Sequence, residues 1–300
     1  MIFFLLVVLF NAYLSVIFKL FQRFRVDSFP AIVVNYWVCA ITGSAILGYW
    51  PISAESVQYP WFPWAIGLGI GFFSVFNLIA WSTRKEGITA TTIANKLSLV
   101  IPAGFALAFY AGESFHWTKG VGILCAIPAV YLSARSGTAD KAERRKRAWL
   151  GPVLLFFGSG VLDTVVSYVT RTYFSGADAI EAQSVYLVHT FATAGTAGAL
   201  ILLFQLITGR HKWSWRDALA GVILGVPNYF SIYYLLRLLS SGLLQPSAAI
   251  PAVNIAIVVA AALCAIVFFK EKATGMRWAG LSLAILAIVL IAYTDFAHVR

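Results

Sequence analysis

Few side chains in this sequence are chemically capable, and they stand out because their neighbours are apolar. Lys96 lies in ATTIANKLSLVIPAGF and Asp163 in GSGVLDTVVSYV. A lysine at depth in a bilayer costs about 2.5–3.5 kcal/mol on the insertion scale, so it must face a cavity or a partner. At 1.5 Å per residue, Lys96 is roughly 12 Å below the start of its apolar run, too deep to snorkel easily. Its ammonium reads as a site for an anionic group or a coupling proton, or as a structural partner of a carboxylate or of helix carbonyls. Asp163 is the one acidic residue well inside an apolar run. It either reaches a cavity or hydrogen-bonds a neighbouring helix. The expectation is that Lys96 is the main substrate or coupling group, with Asp163 as its electrostatic counterweight.

Other polar residues fall at similar depth. Asn11 precedes Asp163 by 152 positions, and Asn254 follows Lys96 by 158. These four are expected to cluster about an internal pseudo-twofold axis. Asn77 and Asn228 line a cavity or tie helices together; lining is favoured because each follows a Gly-rich helix start. His189 is a proton relay or a hydrogen-bonded packing residue. Tyr168 and Tyr229 offer rings and hydroxyls to an organic ligand, or pack. Pro102, Pro128, Pro227 and Pro251 each remove a backbone hydrogen bond and favour a bend. Glu113 and Glu271, near helix ends, read as interfacial anchors.

Several chemistries are missing. There is no Gly-rich phosphate loop with Lys-Ser/Thr, no His-Glu-x-x-His and no nucleophile elbow, so neither an enzyme nor an ATP-driven pump is expected. Cys39, Cys125 and Cys264 lie in apolar segments at no metal spacing. No metal and no cofactor is expected.

All of these residues are carried on, or close to, apolar runs at 2–21, 30–50, 62–82, 88–110, 118–134, 150–174, 180–208, 217–237, 246–269 and 274–295. Each run is long enough to cross a hydrocarbon core of about 30 Å as a helix. The chain is 60% hydrophobic and 11% charged, with a mean hydropathy of +0.83. A soluble domain carries about 25% charged residues, which excludes that class. Barrel strands alternate apolar and polar, whereas AAIPAVNIAIVVAAALCAIVFF is continuously apolar. Nine of the ten tryptophans lie at or just beyond run ends, where an amphipathic ring prefers the interface; Trp37 is the exception. The first run lacks a basic start and a cleavage site and reads as an uncleaved helix.

A basic stretch at 135–149 separates two blocks of five runs. Gly67 and Gly71 match Gly221 and Gly225, Ser15 and Lys19 match Ser167 and Arg171, and Glu113 and Gly122 match Glu271 and Gly280, all in the same order. An odd number of spans per copy requires the second copy to enter the membrane from the opposite side, an inverted repeat of the kind found in secondary transporters. Sixteen basic residues fall in or beside the connections on one face and three on the other. The rich face is expected to be cytoplasmic, with both termini outside. The net charge of +10 is therefore a matter of topology, and no nucleic-acid partner is expected.

This pattern resembles the EamA-like transporters of the drug/metabolite transporter superfamily. The resemblance rests on the end of the fourth helix in each half, Ile101–Leu132 and Ile255–Tyr293, where a glutamate, a short loop and a Gly-bearing fifth helix follow one another. It implies an all-α integral membrane fold of ten transmembrane helices in two inverted five-helix repeats, 1–134 and 150–296. It also implies metabolite or amino-acid-like cargo, with the fifth and tenth helices outside the central cavity. Members of that family are usually described with cytoplasmic termini, the reverse of what the charges here indicate. The function expected is secondary transport of a small polar, carboxylate-bearing or amino-acid-like metabolite by alternating access in a bacterial inner membrane. A proton is a possible coupling partner, and oligomerisation is not required. The alternatives are exchange of phosphorylated or nucleotide-linked sugars, which calls for more than one buried cation, and an integral-membrane enzyme or lipid-handling protein, which calls for polar residues at one interface.

Overall fold

The structure is a computed structural model describing residues 2–109, 116–135, 150–174, 179–240, 246–271 and 274–297. Most of the 135–149 linker, Glu113 and Arg300 lie outside the described residues. The described residues form helices α1 (Ile2–Arg23), α2 (Ser28–Leu47), α3 (Phe62–Glu86), α4 (Ile88–Leu97), α5 (Val100–Phe109) and α6 (Trp117–Arg135). They continue with α7 (Leu150–Tyr173), α8 (Ala179–Ile207), α9 (Trp215–Ser240), α10 (Pro246–Phe269) and α11 (Gly275–Ala297). A short 3-10 turn covers Ala54–Gln58, and no strand occurs among the described residues. Among those residues, seven helices (α1, α2, α3, α7, α8, α9 and α10) are long and apolar enough to cross a bilayer. A chain so organised is a helical membrane protein, because lipid leaves every backbone polar group to be satisfied within its own segment.

The helices fall on the apolar runs with one departure. The run 88–110 is divided into α4 and α5, with a turn at Ser98 and Leu99. Pro102 is the cause. It has no N–H to give to the carbonyl four residues back, and its ring crowds that carbonyl. The Ser98 carbonyl instead accepts from Ile101 N at 2.9 Å, a tighter three-residue closure. Pro128 and Pro227 are accommodated inside continuous helices.

The chain divides into two compact units. The first comprises residues 1–19, 81–163 and 231–300. Here α6 runs along α11 and α4 along α10. Ala126 and Ala129 of α6 and Ala284 and Ala287 of α11 are fully buried. Ile88, at the start of α4, packs on Ala261 and Ala265 in the second half of α10, so these two helices run antiparallel. Val7, Leu238, Val253 and Ile257 form a second cluster joining α1, α9 and α10. The start of α4 is held by Glu271, whose carboxylate accepts from Ile88 N at 2.8 Å and Thr89 Oγ1 at 3.2 Å. Arg277 Nη1 lies 2.9 Å from the same carboxylate, with the two side chains only 6% and 8% exposed. Gly87 must be glycine here: its φ is +95°, and a Cβ would meet Glu271 Oε1 at 2.7 Å.

The second unit comprises residues 20–80 and 164–230. Its framework is α2 against α8. Gly43 of α2 faces Val188, Trp37 faces Gly195 and Val33 faces Gly198, so position falls along one helix as it rises along the other. The pair is antiparallel. Gly69 brings α3 against the α8 backbone at Thr190, and Gly221 and Gly225 bring α9 against α2. The sequence match of Gly67 with Gly221 does not extend to packing, since Gly67 has open space at its Cα and the close approach falls two residues later. Asp27 caps α2 by accepting from Phe29 N, while its own N–H donates to Asp217 at the start of α9.

Candidate functional site

Four polar side chains in the first unit meet near the α4–α5 turn. Lys96 is in the last turn of α4, where the carbonyl end of the helix favours a cation. Its Nζ donates to Asn11 Oδ1, half-way along α1, at 3.2 Å. Asn11 is held for this by its own helix: its Nδ2 donates to Val7 O at 3.0 Å, which turns the amide oxygen toward the lysine. Ser98 is wholly buried at the turn. Its hydroxyl lies 2.6 Å from Asn95 O and 3.2 Å from Asp163 Oδ2. Lys96 and Asp163 act on each other electrostatically, yet each has a neutral hydrogen-bond partner.

Gly160 is what lets Asp163 arrive here. A Cβ at position 160 would lie 2.3 Å from Ile101 Cδ1, so only glycine lets α7 come this close to the start of α5. One helical step further on, Asp163 reaches Ser98. Lys96 is half-buried and Asp163 is exposed. An exposed carboxylate in the middle of α7 and a half-buried ammonium in the last turn of α4, within electrostatic reach of each other, can bind a polar group of either sign. Ser98 is not among the residues expected from sequence. The signal for it is Pro102, which frees the carbonyl four residues earlier and leaves a local hydroxyl to complete the turn.

The remaining candidates are distributed differently. Asn254 is half-buried on α10 in the same unit, and its side chain hydrogen-bonds to none of the described residues. Asn77, Tyr168, His189, Asn228 and Tyr229 belong to the second unit. Asn77 Nδ2 donates to Phe73 O of its own helix at 2.8 Å. Asn228 is buried and its Nδ2 donates to Asn35 Oδ1 at 3.1 Å, a tie between α9 and α2. His189 is buried, with Nδ1 2.8 Å from Val185 O and Nε2 2.9 Å from Ser56 Oγ. A carbonyl can only accept, so Nδ1 carries a proton, and in the neutral ring Nε2 then accepts from the Ser56 hydroxyl. His189 thereby pins the 3-10 turn to α8, with Trp61 edge-on to its ring. Tyr229 is buried against Gly43 and Phe191, and Tyr168 packs on Trp64. Among the described residues, no group of three His, Cys, Asp or Glu side chains is placed to hold a metal ion.

The sequence matches no model of a known protein family. It is similar to an uncharacterized protein of Haemophilus influenzae, 24% identical over 289 residues and spanning 94% of each chain. Its fold is similar to that of a protein solved by crystallography, with a TM-score of 0.61 at 14% identity over 98% of this chain and 97% of that one. This chain therefore shares a fold, along nearly its whole length, with a protein of quite different sequence.

Proposed function

We propose that this protein is a secondary transporter of a small polar metabolite bearing a carboxylate or an amino-acid head group, built as the EamA-like transporters are. Ten spans form two inverted five-helix halves, with the 135–149 loop cytoplasmic and both termini outside a cell membrane. Support for inversion comes from pairs of helices that are equivalent by sequence order. The second helices of the two halves, α2 and α8, pack antiparallel, and so do α4 and α10. A duplicated helix that packs antiparallel on its own counterpart is related to it by an axis across the helices rather than along them. The buried positions keep the sequence offsets. Tyr36, Ala40 and Gly43 are buried 152 positions before Val188, Ala192 and Gly195. Gly122, Ala126 and Ala129 are buried 158 before Gly280, Ala284 and Ala287.

One observation carries the transport reading: Lys96, beside a helix interruption, gives its hydrogen bond to the neutral amide of Asn11 rather than to a carboxylate. An ammonium so held keeps charge available to an incoming anion, and Asp163 nearby lowers the cost of leaving it there. Interrupted helices with polar residues at the break are a recurrent way to build a midplane substrate site. A substrate carboxylate takes the place of Asn11 at Lys96. Transport follows if it binds one access state better than the other, since a ligand shifts an equilibrium only by that difference.

The test is uptake into proteoliposomes of radiolabelled amino acids and small carboxylates, with and without a pH gradient, for the wild type and Lys96→Ala. Saturable uptake by the wild type that falls on the order of tenfold to a hundredfold in a folded Lys96→Ala protein is expected. Equal uptake by the two would move the site away from Lys96.

A further inference from the structure

The two offsets that relate the halves make a specific demand on the polar cluster. Asn11 corresponds to Asp163, and Lys96 corresponds to Asn254. The counterpart of the Lys96–Asn11 hydrogen bond is therefore a hydrogen bond between Asn254 and Asp163. The structure contains the first at 3.2 Å and not the second. Asp163 is bonded to Ser98 instead, and the side-chain amide of Asn254 makes no hydrogen bond with the described residues. All four residues lie in the same unit, in which α10 packs along α4.

The asymmetry has a local chemical cause. The counterparts of Pro102 and Ser98 are Ala260 and Ala256. An alanine keeps its N–H, so α10 runs unbroken where α4 is interrupted. An alanine also has no hydroxyl, so α10 offers a carboxylate nothing like Ser98. The α4 side holds Asp163 through a serine that is already engaged with Asn95 O. The α10 side offers a primary amide, two N–H donors with no partner among the described residues. A carboxylate accepts a hydrogen bond from either, and hydrogen bonds to an ionised acceptor are the stronger kind. The carboxylate has room for more than one donor, but only the one on the α4 side is within hydrogen-bond distance of it here, so the donor on α10 is used in a different arrangement of the helices.

We propose that Asp163 has two stations. In the conformation described here it accepts from Ser98, and Lys96 is tied to Asn11. In the alternate conformation it accepts from Asn254 Nδ2, and the Lys96–Asn11 bond opens, exposing the ammonium to an anion. The exchange of one bond for its counterpart is the local event that distinguishes the two access states. This rests on the inverted-repeat transporter reading above, and it adds Asn254 to the site as a positioning residue that acts through Asp163.

Crosslinking in the full-length protein tests this without a known substrate. In a background carrying Cys39→Ala, Cys125→Ala and Cys264→Ala, one protein carries Asn11→Cys with Lys96→Cys and another Asp163→Cys with Asn254→Cys. Both are reconstituted in lipid vesicles and exposed to a short thiol-specific bifunctional reagent. Both pairs are expected to crosslink, each at a rate well above the corresponding single-cysteine controls. Adding Asn254→Lys to the first protein supplies a full charge at the second station and is expected to slow 11–96 crosslinking several-fold. Adding Asn254→Leu is expected to speed it. If the 11–96 pair reacts while the 163–254 pair stays at control level, the second station does not exist. If Asn254→Lys leaves the 11–96 rate unchanged, the two bonds are not coupled, and the proposal falls likewise. Failure of the 11–96 pair to react removes the first station and overturns it too. Both pairs reacting, while the wild type moves none of the screened metabolites, would retain the two stations and remove the transport reading. Wild-type uptake without 163–254 crosslinking would do the reverse.

Discussion

Lys96 and Asp163 lie within electrostatic reach of each other, which lowers the cost of holding either charge among apolar helices. Their hydrogen-bond partners, Asn11 and Ser98, differ from a direct ion pair in one useful way: each charge can exchange a neutral partner without stranding an opposite charge. Losing a charged hydrogen bond removes about 1.5–3 kcal/mol. Lys96→Ala is therefore expected to lower uptake on the order of tenfold to a hundredfold. Lys96→Arg should also impair it, because a planar guanidinium does not replace a compact ammonium. Asp163→Asn should weaken uptake and alter its dependence on pH. Proteoliposome uptake across a pH series, with thermal melts to confirm folding, measures all three. A different outcome is expected at Glu271, whose removal takes from buried Arg277 the carboxylate 2.9 Å away and leaves the start of α4 uncapped. Glu271→Ala should destabilise the protein by about 3–5 kcal/mol, read as a large fall in melting temperature in detergent. A melting temperature unchanged by this substitution would mean the ion pair does not hold α4.

Among the helices, the α4–α5 interruption matters most, and one residue creates it. Pro102→Ala restores the missing N–H and removes a ring that costs a helix interior about 3 kcal/mol. The expected result is a higher melting temperature together with reduced uptake, because a continuous helix carries Ser98 away from Asp163. A variant that is more stable and transports normally would show that the interruption is incidental. Glycines give a sharper contrast. Gly67 and Gly69 both sit near the start of α3 and differ in what lies opposite. A Cβ on Gly69 would come 2.6 Å from Thr190 O, a backbone atom that cannot move aside. Gly69→Ala should cost about 1–3 kcal/mol by forcing α3 from α8. Gly67→Ala should be neutral or gain up to about 1 kcal/mol from helix propensity. Paired melts of the two variants decide whether close packing rather than glycine content governs this helix.

Across the molecule, orientation rests on the sixteen basic residues in or beside the connections on one side against three on the other. A reporter active only outside the membrane should give signal when fused after Arg300 and none when inserted at Ala139. The reverse pattern would place the termini in the cytoplasm. The antiparallel pairings of α2 with α8 and α4 with α10 are compatible with either orientation, since inverting a pair of inverted copies exchanges their roles.

The class of molecule, the helix positions and the two mid-depth charges are legible in the order of amino acids alone. They follow from local physics: a continuous apolar run of about 20 residues has one stable form in lipid, and a charge inside it is costly wherever it ends up. The proposed duplication is read from the same order, from small and polar residues that recur in one sequence in both halves at offsets of 152 to 158. Partnership is not legible there. Asn228 and His189 are as polar as Asn11 and also lie inside apolar runs, yet one ties α9 to α2 and the other pins a loop. Asn11 belongs to the site only because α1 and α4 meet there. Ser98 is hidden because its role depends on a proline four residues away and on a glycine in α7, two constraints that no single apolar run contains. Hydrogen-bond partners 65 to 193 positions apart are chosen by helix packing, and packing is a property of the folded chain.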